Sequence, residues 1–339
     1  MNMKEFFPPD AKIRCIPDKI NPRVLLMGST LKNRWKESAL FPGFRQTARI
    51  YRLMMRLKVT IGIGDTIVND AQQSLVKGFV SDLFPDLCSM VGLIGTSGPT
   101  QKLTIELWDK HRVIGYFKFA EKPAARLRLQ QEQNILTSLP ERLGPKSLKF
   151  GNLQEGLALV TTPLVGQRVF PSVAPPQKVL QLIRSFPQSK PQPMEQHPGC
   201  QMFSKTYGGE VEHWLRALAD REWPVVFQHG DFAPWNLIQT STGMINAIDW
   251  EYGNKEQLPF LDLAYYILQV GFFIFHWPAS NAKDYAIKTL SKTFGLTYKE
   301  AKAFVCLAMF QAFQEARKDG INSDAPLQLW RQAIWQDKA

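Results

Sequence analysis

Directly behind the apolar run at residues 224–227, the segment QHGDFAPWN sets His229, Asp231 and Asn236 close together, and Asp249 and Glu251 follow a second apolar segment, MINAI. An aspartate held beside a hydroxyl can orient it and accept its proton. Carboxylate and amide oxygens together are hard donors of the kind that Mg2+ selects. A second pair of charges lies earlier in the chain. Lys118 interrupts the apolar run VIGYFKF, where an ammonium needs water or a partner, and Glu132 lies 14 residues further on.

The elements that must carry these groups can be read from periodicity. Three strands are expected across residues 88–120: CSMVGLIGT, then KLTIELWD with Leu103, Ile105 and Leu107 alternating, then RVIGYFKFA after the turn DKHR. Gly92, Gly95 and Gly98 fall in and around the first turn. Glycine there lets backbone N–H groups approach a phosphate, although an ordinary hairpin turn uses the same residues. After Pro123 the run KPAARLRLQQEQNILTSL is helix-forming, with Leu129, Glu132 and Leu136 near one stripe. Lys118 and Glu132 either form an ion pair across these elements or lie apart, the lysine stretching to water at a sheet edge.

Composition bounds what such residues can belong to. With 339 residues, 45% hydrophobic and 12% aromatic, the chain can bury two cores and still carry an extension. Cys15, Cys88, Cys200 and Cys306 form no CxxC pair, which argues against a zinc site or a disulfide framework. The start MNMKEFFPPD has neither the basic head nor the apolar centre of a secretory signal, so a cytoplasmic protein is expected. FLDLAYYILQVGFFIFHW, residues 260–277, approaches the length of a membrane span, but Asp262 and Gln269 interrupt it and a buried core helix is expected instead. Gly62 and Gly64 begin a dinucleotide fingerprint that fails at Ile67, leaving a turn as their use.

Charge is distributed unevenly. The net charge is +11, and residues 1–60 hold 13 Lys/Arg against 4 Asp/Glu, a net of +9. Arg45, Arg49, Arg52 and Arg56 recur at helical spacing, with Ile50, Leu53, Met54 and Leu57 on another face. Such a basic amphipathic helix either attaches to an anionic surface, a membrane in peripheral contact with residues 45–58 or a nucleic acid, or packs on the neighbouring lobe with its basic side in water. No specific nucleic-acid partner is expected.

Taken together, HGDFAPWN, AIDWEYG and PFLDLAYY resemble the HGDxxxxN, IDF/IDW and D-L-A elements of the aminoglycoside phosphotransferase and choline kinase family, over roughly residues 88–320. The resemblance implies an α+β, two-lobed protein-kinase-like fold: a basic, partly helical extension at 1–85, a small antiparallel-sheet lobe at 86–163 that binds nucleotide, and a mainly helical lobe at 164–339. It implies ATP and Mg2+ as cofactors, with Asp231 orienting and deprotonating the acceptor hydroxyl and Asn236 and Asp249 holding the metal. Lys118 would contact the α and β phosphates with Glu132 as its helix partner, His229 would brace the catalytic loop, and Asp262 would tie that loop to the helix beneath it. LALVTTPLVGQ resembles the inter-lobe hinge, placing the Thr162 carbonyl and the Leu164 N–H at the adenine edge. The phosphate-covering loop would draw on Gly95 and Gly98. Trp250 departs from the family's usual Phe.

For the acceptor, residues 259–339 hold 9 Lys/Arg against 7 Asp/Glu, so no acidic cradle for a cationic substrate is evident. A small molecule with a hydroxyl, neutral or anionic, is expected: a sugar, a polyol or a glycolipid. Trp235 and Trp250 either present a face to a sugar ring or belong to the core. The Pro/Gln-rich stretch at 186–199 reads as a mobile loop beside the acceptor. The alternative to an active kinase is a catalytically weak, kinase-like scaffold recruited to an anionic membrane or partner.

Overall fold

Alternation of apolar and polar residues builds one antiparallel sheet from the amino-terminal part of the chain. The computed structural model describes residues 3–28, 30–40 and 46–336, with the backbone alone for 46–49. The chain divides into two compact units, Met1–Gln133 with Pro145–Pro163, and Asn134–Gly144 with Leu164–Ala339.

In the first unit the strands are β1 (Lys12–Ile16), β2 (Val24–Leu26), β3 (Thr66–Val68), β4 (Ser89–Ile94), β5 (Leu103–Trp108), β6 (Val113–Ala120), β7 (Ser147–Leu153) and β8 (Gly156–Thr161). They form a single eight-stranded sheet in the order β3-β1-β2-β4-β5-β6-β8-β7. Residues 1–85 therefore contribute three strands to the sheet that carries Lys118. The three-residue β2 is the joint, pairing with β1 on one side and with β4 on the other through Leu26↔Val91. Among the described residues four α-helices accompany the sheet: α1 (Leu31–Glu37), α2 (Gln46–Thr60), α3 (Leu75–Val80) and α4 (Pro123–Leu136). Pro123 opens α4, where its missing N–H costs no helical bond.

Two apolar clusters anchor this unit. The larger gathers Phe6, Phe7, Val76, Val80, Ile105 and Phe117, all at most 2% exposed. The smaller joins Ile16, Val24, Leu26 and Val91 to Val59 and Met55 of α2.

The face that α2 turns inward reverses the expectation from its arginines. Arg52 Nη2 donates to the Ala39 carbonyl at 2.6 Å, and Arg56 Nη2 donates to the Trp35 carbonyl at 2.9 Å. The Arg56 guanidinium also lies 4.0 Å from the centre of the Trp35 ring. These carbonyls close the last turns of α1 and of the short helical turn after it, where acceptors go unpaired within the helix. Arg45 lies outside the described residues, as does the side chain of Arg49. Gly62 and Gly64 form a turn with φ of +90° and +130°.

The second unit is mainly helical. Its short strands are β9 (Gly166–Arg168), β10 (Gln188–Gln192), β11 (Trp223–Gln228), β12 (Leu237–Thr240), β13 (Ile245–Ala247) and β14 (Asn254–Gln257), grouped as β10-β11-β14 and β13-β12-β9. The helices are α5 (Gln177–Arg184), α6 (Pro198–Tyr207), α7 (Gly209–Arg216), α8 (Leu261–Phe273), α9 (Ala279–Phe294), α10 (Tyr298–Lys318) and α11 (Pro326–Trp335). The stretch read as a mobile loop supplies β10, which pairs antiparallel with β11 and sets Pro191 opposite Pro224. Prolines are tolerated there because β10 is an edge strand. Apolar on nearly every side, α8 is buried from Leu261 to Gly271. No helix among the described residues is long and apolar enough to cross a membrane. Thr297 and Glu300 cap α10 reciprocally, side chain to backbone in both directions.

Candidate active site

In the first unit, Lys118 occupies the interior strand β6, opposite Thr104 of β5 and Leu159 of β8. The sheet-edge alternative is thereby excluded. Strand alternation sends Phe117 and Phe119 into the larger core cluster and Lys118 to the other face. There its Nζ lies 2.7 Å from Glu132 Oε1 on α4, with the lysine 8% exposed and the glutamate fully buried. A buried pair of this kind is sensitive to loss of either member, because the remaining charge keeps its desolvation cost without its partner.

Gly95 does not offer its amide outward. Its N–H donates to the Lys102 carbonyl at 2.8 Å, closing the β4–β5 hairpin. The Gly98 carbonyl accepts from Lys122 Nζ at 2.8 Å. Thr162 is fixed by a reciprocal pair with Lys146, its N–H donating to the Lys146 carbonyl and its Oγ1 accepting the Lys146 N–H, both at 2.9 Å. Leu164 begins the second unit and is half-buried.

In the second unit, β11 ends at Gln228 and delivers His229, Gly230 and Asp231 in succession. Both oxygens of Asp262, in the first turn of α8, accept backbone N–H groups: Oδ2 from His229 at 2.6 Å and Oδ1 from Gly230 at 2.9 Å. Gly230 has φ of +82°, and a Cβ at this position would collide with the Tyr252 carbonyl. Glycine is thus dictated at the middle of HGD by both the backbone and the close approach. His229 Nε2 donates to the Ile248 carbonyl at 2.8 Å, while its Nδ1 accepts the Asp231 N–H at 3.2 Å. These two bonds define a neutral imidazole with both nitrogens engaged.

Asn236 and Asp249 lie at the open end of the β12–β13 hairpin, whose register pairs Leu237 with Ala247. One step beyond it, the Ile248 N–H donates to the Asn236 carbonyl at 2.9 Å. Asp249 itself adopts the left-handed backbone, φ +63°, a conformation in which Asp is among the better tolerated residues. Asn236 Nδ2 donates to Asp231 Oδ2 at 2.8 Å and to the Asp231 carbonyl at 2.9 Å, so neither bond engages its amide oxygen.

Two contacts in this cluster have no counterpart in the sequence reading. The Tyr265 hydroxyl, one turn along α8 from Asp262, donates to Asp231 Oδ1 at 2.7 Å. Arg331 of α11 lies behind it, Nη2 to the Tyr265 hydroxyl at 3.5 Å, and is held by the Ala312 carbonyl and by Gln328 Oε1. A polar ring repeating one turn after Asp262 in an apolar helix is the local signal for Tyr265. Arg331 has no local signal. Burial pushes the Asp231 carboxyl up to about 6, aided by the charges of Glu251 and Asp249 and opposed by the hydrogen bonds from Tyr265 and Asn236. Burial likewise pushes Asp262 up to about 7, against the two N–H bonds that favour its charged form.

Trp250 is core, not a sugar platform. It is fully buried, its Nε1 donates to the Ala247 carbonyl at 3.0 Å, and its ring packs against His229 and Phe186. Trp235 is half-buried, edge-on to Phe273.

Among the described residues no three His, Cys, Asp or Glu gather as a metal cage. The pair Asn236 and Asp249 fits Mg2+, which takes one or two protein oxygens and completes its shell with water and phosphate.

Among solved structures, the chain is similar to a protein assigned as an aminoglycoside phosphotransferase from Ralstonia eutropha, with 12% identity over 77% of this chain and 94% of that one and a TM-score of 0.42. It is similar to choline kinase LicA from Streptococcus pneumoniae, at 14% identity over 77% and 96% of the two chains and a TM-score of 0.43. A protein assigned as a fructosamine-3-kinase from Haemophilus somnus gives 13% identity over 77% and 96%, with a TM-score of 0.46. No family model matches the sequence, and no curated protein does.

Proposed function

We propose that the chain is an ATP-dependent phosphotransferase that moves the γ-phosphoryl group to a hydroxyl of a small molecule. The observation that carries this reading is the held carboxylate of Asp231. One oxygen takes the Tyr265 hydroxyl, the other takes the Asn236 amide, and neither bond engages the amide's own oxygen. Each carboxylate oxygen retains a lone pair for a substrate hydroxyl.

In this reading Asp231 orients the acceptor hydroxyl and takes its proton as the acceptor oxygen bonds to the γ-phosphorus and the bond to the leaving ADP oxygen breaks. Asn236 and Asp249 would hold Mg2+, which when bound neutralises phosphate charge. Lys118, fixed by Glu132, supplies an ammonium for the α and β phosphates. His229 moves no proton, since both its nitrogens are occupied by backbone groups. The Thr162 carbonyl and Leu164 N–H face the adenine edge, and Gly98 is the remaining glycine for the phosphate loop. The acceptor is a neutral or anionic sugar, polyol or glycolipid, in keeping with the near balance of charge in residues 259–339.

Two measurements test the proposal. MgATP in excess of its Kd should raise the melting temperature by mass action, and a panel of hydroxyl compounds should reveal transfer from labelled ATP. A flat thermal titration up to millimolar MgATP, with folded protein and no transfer, favours the scaffold alternative.

A further inference from the structure

Because α2 turns Arg52 and Arg56 inward, its outward side is apolar. Ile50 is 64% exposed, Leu53 and Met54 51% and Leu57 50%, and Ile61 continues the stripe at 65% just beyond the helix. At roughly 100° per residue these positions share one face, opposite Val59, which is 2% exposed and packed on the sheet. Isolated exposed apolar residues need no explanation, but a contiguous stripe marks a contact surface. The fold does not need it, since Val59, Met55 and the two arginines already fix the helix from within.

We propose that this stripe seats the protein on an anionic bilayer, with α2 lying in the plane of the interface. Charge selects the occupant. The stripe belongs to the segment that concentrates a net +9 in 60 residues, and its exposed lysines include Lys58 on α2 and Lys32 and Lys36 on α1. A second copy of the chain would bring the same +9 against itself. Nucleic acid would meet an apolar face, while the guanidiniums of Arg52 and Arg56 are spent on the carbonyls of Ala39 and Trp35. An anionic membrane satisfies both features: the stripe enters the boundary of the acyl chains, and lysines meet the headgroups. Trp35, 38% exposed beneath the Arg56 guanidinium, is of the residue type enriched at such interfaces. This contact does not depend on the phosphotransferase reading.

The full chain should co-sediment with vesicles of equal phosphatidylglycerol and phosphatidylcholine at low salt, and at least tenfold less with phosphatidylcholine alone or in 0.5 M salt. Leu53→Ser with Leu57→Ser should lower binding to the anionic vesicles about tenfold while leaving the melting temperature unchanged. Ile50→Ser with Met54→Ser, on the same stripe, should repeat the loss and serves if the first variant fails to fold. Equal binding to neutral and anionic vesicles, or stripe variants that fold and bind like wild type, overturns the proposal. So does a dimer of the wild type in solution that the stripe variants abolish, since the occupant would then be a second copy.

Discussion

The Lys118–Glu132 pair is buried and the Asp231 cluster half-buried, and these two ionic sites are balanced in opposite ways. Lys118 and Glu132 offset one another directly at 2.7 Å, opposite charges between a strand and a helix. Among the described residues no cation lies against the oxygens of Asp231. Its direct partners are the neutral groups of Tyr265 and Asn236, and the nearby charges of Asp249 and Glu251 repel it. A pair of the first kind holds its own geometry, whereas a carboxylate of the second kind is kept under electrostatic tension until a cation or a substrate proton relieves it. Disruption of the first site should therefore cost stability as well as the contact to phosphate, whereas disruption of the second should cost rate with little loss of stability.

The largest expected effect is on rate. Asp231→Asn keeps shape while removing the proton acceptor, and phosphoryl transfer should fall by roughly 10²–10⁴. MgATP affinity should change little, as calorimetry with a non-hydrolysable nucleotide can check. Stability at neutral pH should hold or rise. Because the folded-state carboxyl is raised to about 6, the stability linked to its protonated form is present at low pH and is lost as pH climbs from about 4 through 6. The Asn variant should lack that decline. A variant that unfolds at neutral pH would break the contrast between the two sites.

The second effect is on stability. Lys118→Met leaves the buried Glu132 carboxylate without its ammonium, and denaturant unfolding should show a loss of about 3–5 kcal/mol. Lys118→Met together with Glu132→Leu removes both charges and should recover most of that loss, although transfer should stay below the wild-type rate because the phosphates lose their ammonium. If the single variant is as stable as wild type, the pair is not the structural element that its burial suggests.

How much of this was legible depended on sequence distance. The grouping of His229, Asp231 and Asn236 is local, and Asp249 follows after one hairpin, so spacing alone brings these residues near each other. Strand alternation placed Lys118 on one face, and the helix after Pro123 limited where Glu132 can lie. The Arg331 contact with Tyr265 spans 66 residues and left no trace in local pattern. Trp250 could not be assigned to core or surface, because its neighbours Phe186 and His229 come from other elements. Nor could amphipathicity say which side of α2 faces the protein: arginines that reach helix-end carbonyls satisfy burial as well as apolar residues do. The entry of residues 1–85 into the large sheet hinges on a three-residue strand, too short to carry a period.

The smallest effect bears on what holds Asp231 ready. Tyr265→Phe deletes one hydroxyl in a packed helix, so folding should be barely altered, and a charge-assisted hydrogen bond is worth about 1.5–3 kcal/mol to the carboxylate. Loss of that bond disfavours the ionised form, and the carboxyl should move further up from about 6. A general base works only when ionised, so transfer by the wild type should rise with pH and level off above its acid limb. In the working complex that limb should lie at or below pH 6, because Mg2+ at Asn236 and Asp249 offsets the repulsion from Asp249. In Tyr265→Phe the limb should shift by about one pH unit to the alkaline side. The variant should therefore be slower by at most about fivefold at pH 6, by nearly tenfold only well below the wild-type limb, and above pH 8 it should approach the wild-type rate. A uniform loss at every pH would instead mean that the tyrosine fixes only the direction of the carboxylate. An unchanged profile would mean that Asn236 alone holds it.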